Sequence, residues 1–208
     1  MKTRFRVTLV VITILILLAL GIFGYSKTLK KEEVQPKEVL ENIEKFGYTL
    51  DSLDSEVFKL EFQTLKKIVE EDNIDYTLYA ESLAKLFVID LYTIETKINK
   101  NDVGGLEYIY STKKDNYKLK MIDTLYKEVT DNSDSKRTQE LPKVSAVSTS
   151  NQEEKEFLLG SNSVDSYQVV LDVEYQKDLG YDSKIQIILV KEGNKLSVAE
   201  FSSYQENE

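Results

Sequence analysis

The chain has no cysteine and no histidine. Without cysteine there is no disulfide, no thiolate nucleophile, no cysteine-type zinc site and no lipid attached through a thiol. Without histidine, the usual base of Ser-His and Cys-His systems is missing, as are the commonest zinc ligand and the usual pH switch. Tryptophan is also absent, and there are only 2 prolines, Pro36 and Pro142. No catalytic or metal-ligating constellation stands out. The sequence predicts a non-enzyme with no metal and no cofactor.

Positive charge is scarce relative to negative. The formal net charge is −9 over 208 residues. Lys2, Arg4 and Arg6 sit at the N-terminus without an acid, so the remainder is more acidic still. A domain of that charge repels nucleic acid phosphates, and no basic stripe overcomes the repulsion. No nucleic-acid partner is expected. The acidity keeps the domain soluble, or suits a basic partner.

One long apolar run is present. Val7–Tyr25 reads VTLVVITILILLALGIFGY, without a charge. As a helix it rises about 28 Å, close to the roughly 30 Å of a bilayer core. It predicts a transmembrane helix behind a cytoplasmic tip, residues 1–6. The competing reading is a cleaved signal peptide, whose best site, Gly24-Tyr25-Ser26, is imperfect. Lysines flank both ends of the run, so the charge rule hardly separates the two orientations. The short basic tip favours a single-pass protein of the cell membrane with its C-terminal domain extracytoplasmic.

Residues 26–37 read as a polar stalk and 38–204 as one α+β domain. Its helical part is expected over 38–130 and its sheet part over 141–204. Val39, Leu40, Ile43 and Phe46 recur at helical spacing after Pro36 and predict a first helix closed by Gly47. Tyr48-Thr49-Leu50 reads as a short extended piece. A second helix is expected from Ser55 to Glu71, and a third from Tyr76 to Ile98, capped by Asp75. Asp90 lies on the apolar stripe of that third helix, so its carboxylate must find donors. Asn99–Gly105 reads as a turn, and a fourth helix is expected from Thr112 to Val129. The period then changes to 2. Strands are expected at 144–149, 154–159, 167–175, 184–191 and 196–201, with a tight turn at Gly193-Asn194.

Helices first and antiparallel strands after imply helices packed on a curved antiparallel sheet. Four segments add a resemblance: Leu86–Ile94, Asn101–Gly105, Lys114–Tyr117 and the terminal strands. Behind a membrane anchor, this order resembles the NTF2-like (cystatin-related) cone. More narrowly it is similar to VirB8-type and TcpC-type extracytoplasmic domains, and to uncharacterised anchored proteins of low-GC Gram-positive bacteria. The resemblance implies a non-catalytic interaction or scaffold module of an envelope or secretion-type complex. Its partners would be the membrane, other envelope proteins, or second copies of itself.

Two other roles stay open. One is a small-ligand or isomerase-like pocket around Asp90, where burial would raise a carboxyl pKa for proton transfer; the plainer role of Asp90 is to lock helix packing. The other is an accessory domain for cell-wall enzymes. Tyr108, Tyr110 and Tyr117 cluster near the Gly-Gly turn as candidate ligand contacts, or as ordinary core rim. Asp131–Glu140 superficially suggests a calcium loop but lacks its glycine and closing glutamate, so solvated surface is expected.

Overall fold

A computed structural model describes residues 37–205. The chain enters as a hairpin. Strand β1 (Val39–Ile43) pairs antiparallel with β2 (Tyr48–Asp51). The first helix expected over this stretch is therefore corrected. Ile43 and Phe46 do go inward, but Val39 and Leu40 stay exposed. Tertiary bonds override the helical period. The Tyr48 hydroxyl meets the Tyr79 hydroxyl at 2.6 Å and donates to the Leu196 carbonyl at 3.1 Å. These bonds hold β2 extended, as Tyr48-Thr49-Leu50 predicts, and β1 pairs along it instead of coiling.

Helix α1 (Glu56–Glu70) starts where the Ser55 side chain accepts from the Phe58 amide. Phe58, Phe62, Leu65 and Val69 form its buried face. Helix α2 (Tyr76–Tyr92) begins at Asp75, whose carboxylate accepts from the Thr77 and Leu78 amides. Nearly all its large side chains are buried, because α1 covers one flank and the main sheet another. The apolar pattern runs on to Ile98, yet the helix stops at Tyr92. The amides of Ile94 and Glu95 are captured instead by the Pro142 carbonyl, at 3.0 and 3.1 Å. A distant carbonyl thus ends a helix that local periodicity would continue.

Helix α3 (Lys114–Asp123) is shorter than its apolar pattern predicts. Tyr126 lies beyond it and is fully buried, with its hydroxyl donating to the Leu91 carbonyl at 2.7 Å. That anchor draws the chain out of helical geometry.

The main sheet is an antiparallel meander, β3 (Val144–Leu159), β4 (Asn162–Tyr175), β5 (Lys184–Glu192) and β6 (Lys195–Ser203), in spatial order β3-β4-β5-β6. The break expected between residues 149 and 154 is a bulge in one long strand, since the β3 register shifts between Thr149 and Asn151. Helix α2 packs against all four strands. The core is filled by Phe62, Leu83, Phe87, Leu91, Leu171, Ile187, Leu189 and Val198.

The expected architecture, a transmembrane helix followed by an NTF2-like cone, is corrected to three short helices and two antiparallel sheets. Among the described residues no helix is long and apolar enough to cross a membrane. The longest, α2, has 17 residues and owes its apolar character to burial within protein. The single-pass, cell-membrane and extracytoplasmic assignments are corrected with it, since no described helix supplies the span they require. Their source, Val7–Tyr25, lies outside the described residues, as do the tip and most of the stalk.

Tyr48 joins the hairpin, α2 and β6, which makes it a sensitive probe of this arrangement. Tyr48→Phe should lower stability by about 1–3 kcal/mol, the usual cost of stranding buried hydrogen-bonding groups. Urea denaturation monitored by circular dichroism checks this. An unchanged midpoint would show that the hydroxyl contacts contribute nothing.

Candidate functional site: a charged cleft and a bare strand edge

Asp90 sits in the last turns of α2, with its side chain 18% exposed. One of its oxygens pairs with the ammonium of Lys97, whose side chain is only 4% exposed. The other accepts from the Gly105 amide at 2.5 Å. These are the donors that a carboxylate on the apolar stripe requires. Burial alone would push the Asp90 pKa up, but the Lys97 charge and the Gly105 amide hold it below the usual carboxylate value. Burial would likewise push Lys97 down, and Asp90 more than reverses this. The pair is ionised and mutually locked.

The Gly104-Gly105 turn is pressed against α2 at this point. A Cβ on Gly104 would lie 2.1 Å from the Asp90 carbonyl oxygen. Gly105 has φ +75°, and a Cβ there would strike the Phe87 ring and the Tyr117 hydroxyl. Only glycine fits at either place. Two tyrosines clamp the turn. Tyr117 donates to the Gly104 carbonyl at 2.7 Å, and the Tyr126 hydroxyl accepts from the Gly104 amide at 3.1 Å.

Beside this node lies a cleft of about 390 Å³. Its charged lining is Lys37, Asp51, Asp54, Asp90, Lys97, Glu107 and Lys114. Lys37 reaches Asp102 at 3.0 Å and Asp51 at 3.4 Å. The Glu107 carboxylate accepts from the Thr49 amide and hydroxyl, at 3.2 and 2.9 Å, and so ties β2 to the turn after Gly105. Burial raises the Glu107 pKa despite those bonds. Asp54 accepts from the Asp51 amide at 2.7 Å. Burial, reinforced by the charges of Asp51 and Asp90, pushes Asp54 up to about 7. The group in this cleft that exchanges a proton near neutrality is therefore Asp54, while Asp90 stays ionised.

The structure brings together three of the four candidate residues, with different roles. Asp90 lines the cleft. Tyr117 backs the glycine turn from the core. Tyr108 is fully buried, its ring tilted at 41° against that of Tyr48 with the centroids 5.3 Å apart. Tyr110 is separate: its amide donates to the Val198 carbonyl at 3.0 Å, beside the edge of β6. Sequence reading missed Lys97, Asp54 and Glu107. Lys97 did leave a signal, a lone cation between Ile94 and Ile98 two turns beyond a buried acid. Asp54 left none, because it is one of several polar residues just before the helix expected from Ser55. Among the described residues no cluster of acids could hold a metal ion. Asp131 instead accepts from the Ser133 amide at 2.6 Å, and Arg137 in the same loop caps the carbonyls of Glu95 and Lys97.

The two edges of the main sheet differ. On β6, Ile109 forms a parallel bridge to Val198, so the segment carrying Tyr110 covers that edge. On the other side, β3 has no further strand among the described residues. The β3–β4 ladder continues to Leu159↔Asn162, whereas β5 pairs with β4 only from Ser166 onward. The end of the β3–β4 hairpin, from Glu156↔Asp165 to Leu159↔Asn162, is thus a two-stranded ribbon about 13 Å long. Leu158 at its tip is 70% exposed. No family model, no curated protein and no solved structure matches the chain.

Two predictions follow from the cleft. Lys97→Met leaves Asp90 buried without its counter-charge and should cost about 3–5 kcal/mol. The double variant Asp90→Asn/Lys97→Met removes both charges yet keeps an oxygen for the Gly105 amide, and should cost less than Lys97→Met alone. Strictly additive losses in denaturation would refute the coupling.

The second concerns pH. Asp54 titrates near 7 when folded, against an ordinary value of 3.8. The folded chain retains a proton that the unfolded chain releases, so this group's contribution to stability is lost as pH rises from about 4 to about 7. Asp54→Asn keeps the acceptor without the charge. It should stabilise the protein at pH 8 by on the order of 1–2 kcal/mol and give no gain at pH 4. A gain that does not change with pH would show that Asp54 is not desolvated.

Proposed function

We propose that the chain is a non-catalytic interaction module that works within a larger protein assembly. The observation that carries this reading is the ribbon at the end of β3 and β4. Two-stranded ribbons are marginal on their own and gain stability from packing against something else. This one has little of that. The Phe157 ring lies 5.8 Å from the Lys113 ammonium, and Leu158 faces solvent. Its charged positions are Glu156 and Asp165, and Glu153, Glu154 and a single Lys155 lie just before it on β3. Such a feature adds nothing to the α2-centred core, and it places acidic and apolar groups together where a partner can reach them.

The cleft favours a second reading, a small polar ligand held beside Asp90. Its volume of about 390 Å³ falls within the range of known ligand sites. Asp54 and Glu107, both pushed toward protonation, would donate an O–H to a ligand's oxygen and accept from its hydroxyl groups. The cleft's other charges are largely satisfied internally, which makes this reading the weaker of the two.

Shortening the ribbon separates the two. Replacing residues 155–166 with an Asn-Gly turn should leave the thermal transition intact and abolish cross-linking to a reproducible partner that the complete chain captures. Undiminished capture by the shortened chain, or no reproducible partner for either, would overturn the module reading.

A further inference from the structure

From the bare edge of β3 we infer that the module docks an extended, lysine- or arginine-bearing segment of a partner protein, which adds to the sheet as a fifth strand beside residues 151–159. This rests on the interaction-module reading and names the class of partner.

The first half of β3 is poorly suited to strand addition, because bulges interrupt its register between Val144 and Ala146 and between Thr149 and Asn151. Such irregularities blunt an edge. From Asn151 to Leu159 the register to β4 is unbroken. A regular run of that length spans about 30 Å, and every second residue turns its amide and carbonyl away from β4. Among the described residues no backbone group pairs with these outward positions. The opposite edge, in contrast, is occupied by Ile109 and Tyr110.

Charge decides the occupant. Glu153, Glu154 and Glu156 lie on the run, and its single cation, Lys155, is already bonded to Glu153 at 2.7 Å. A second copy pairing antiparallel about Glu154 would set Glu154 opposite itself, and like charges placed directly across a ladder are destabilising. A basic strand meets opposite charges at the same places. Over the same end of the sheet is a groove of about 370 Å³ lined by Glu154, Glu156, Asp165, Ser166 and Tyr167 together with Lys155 and Lys191. It offers a long cationic side chain two or more carboxylates to bridge and an aromatic face to lie on. The net charge of −9 also steers a basic segment toward the molecule. Main-chain pairing would supply the affinity and the acidic groove the selectivity, the usual division of labour in strand addition.

The probe is a synthetic nine-residue peptide alternating lysine with threonine and valine. Controls are the same peptide N-methylated at alternate residues and a version with glutamate for lysine. Titration into the complete chain, followed by fluorescence anisotropy, should show saturable binding. It should weaken at least tenfold for either control peptide, and likewise for the chain carrying E153K, E154K and E156K.

Equal binding of the N-methylated peptide would overturn strand addition in favour of charge attraction alone. Absence of binding would overturn it too. So would concentration-dependent self-association in sedimentation that E153K abolishes, which would make a second copy the occupant. Should the ribbon-shortened chain still lose its cross-linked partner while these peptides fail, the module reading stands and the strand-addition proposal falls.

Discussion

The fold turns on a buried ion pair. Lys97 has left water almost completely, and an ammonium in that position is tolerated only with a counter-charge in contact. Asp90 provides it, and with its second oxygen holds the Gly105 amide. Three stretches of chain are fixed by that one carboxylate: the end of α2, the segment leaving it, and the glycine turn that folds back over it. The segment that follows is placed by this return. Tyr117 and Tyr126 find the Gly104 backbone because the turn is seated, and Ile109 reaches β6 because the chain emerges from the turn in the right place.

The same node adds to the cleft's chemistry. Burial above all, with the charges of Asp51 and then Asp90 behind it, makes Asp54 hold its proton to about pH 7. Glu107 responds in the same direction while tethering β2. The cleft is thus an electrostatic by-product of packing as much as a designed receptor. The sheet edge owes nothing to this network. It is shaped by bulges on one half of β3 and a run of glutamates on the other.

Much of the fold was legible because it rests on local pattern. The start of α1 near Ser55, the cap at Asp75, the amphipathic face of α1 and the period-2 alternation of β4 and β5 are carried by neighbouring residues. What was not legible depends on partners far along the chain. Val39–Phe46 has a helical period, but the buried hydroxyls of Tyr48 and Tyr79 need β2 extended. The apolar pattern through Ile98 predicts helix, but the Pro142 carbonyl claims the two amides that would continue it. At the site, Asp90 could be singled out because an acid on an apolar stripe violates the pattern. Its partner Lys97, and the cleft acids Asp54 and Glu107, look like ordinary surface residues until the chain has folded.

The tyrosine pair also bears on how the molecule is made. Tyr48 and Tyr79 close their bonds on the main chain of Leu196, in the last strand. Leu196 lies 148 residues beyond Tyr48 and 117 beyond Tyr79, so the hairpin and α2 gain this shared anchor only once a contact of very long sequence separation has closed. Contacts of that kind form late, and until this one does α2 exposes an apolar flank on which other chains can stick.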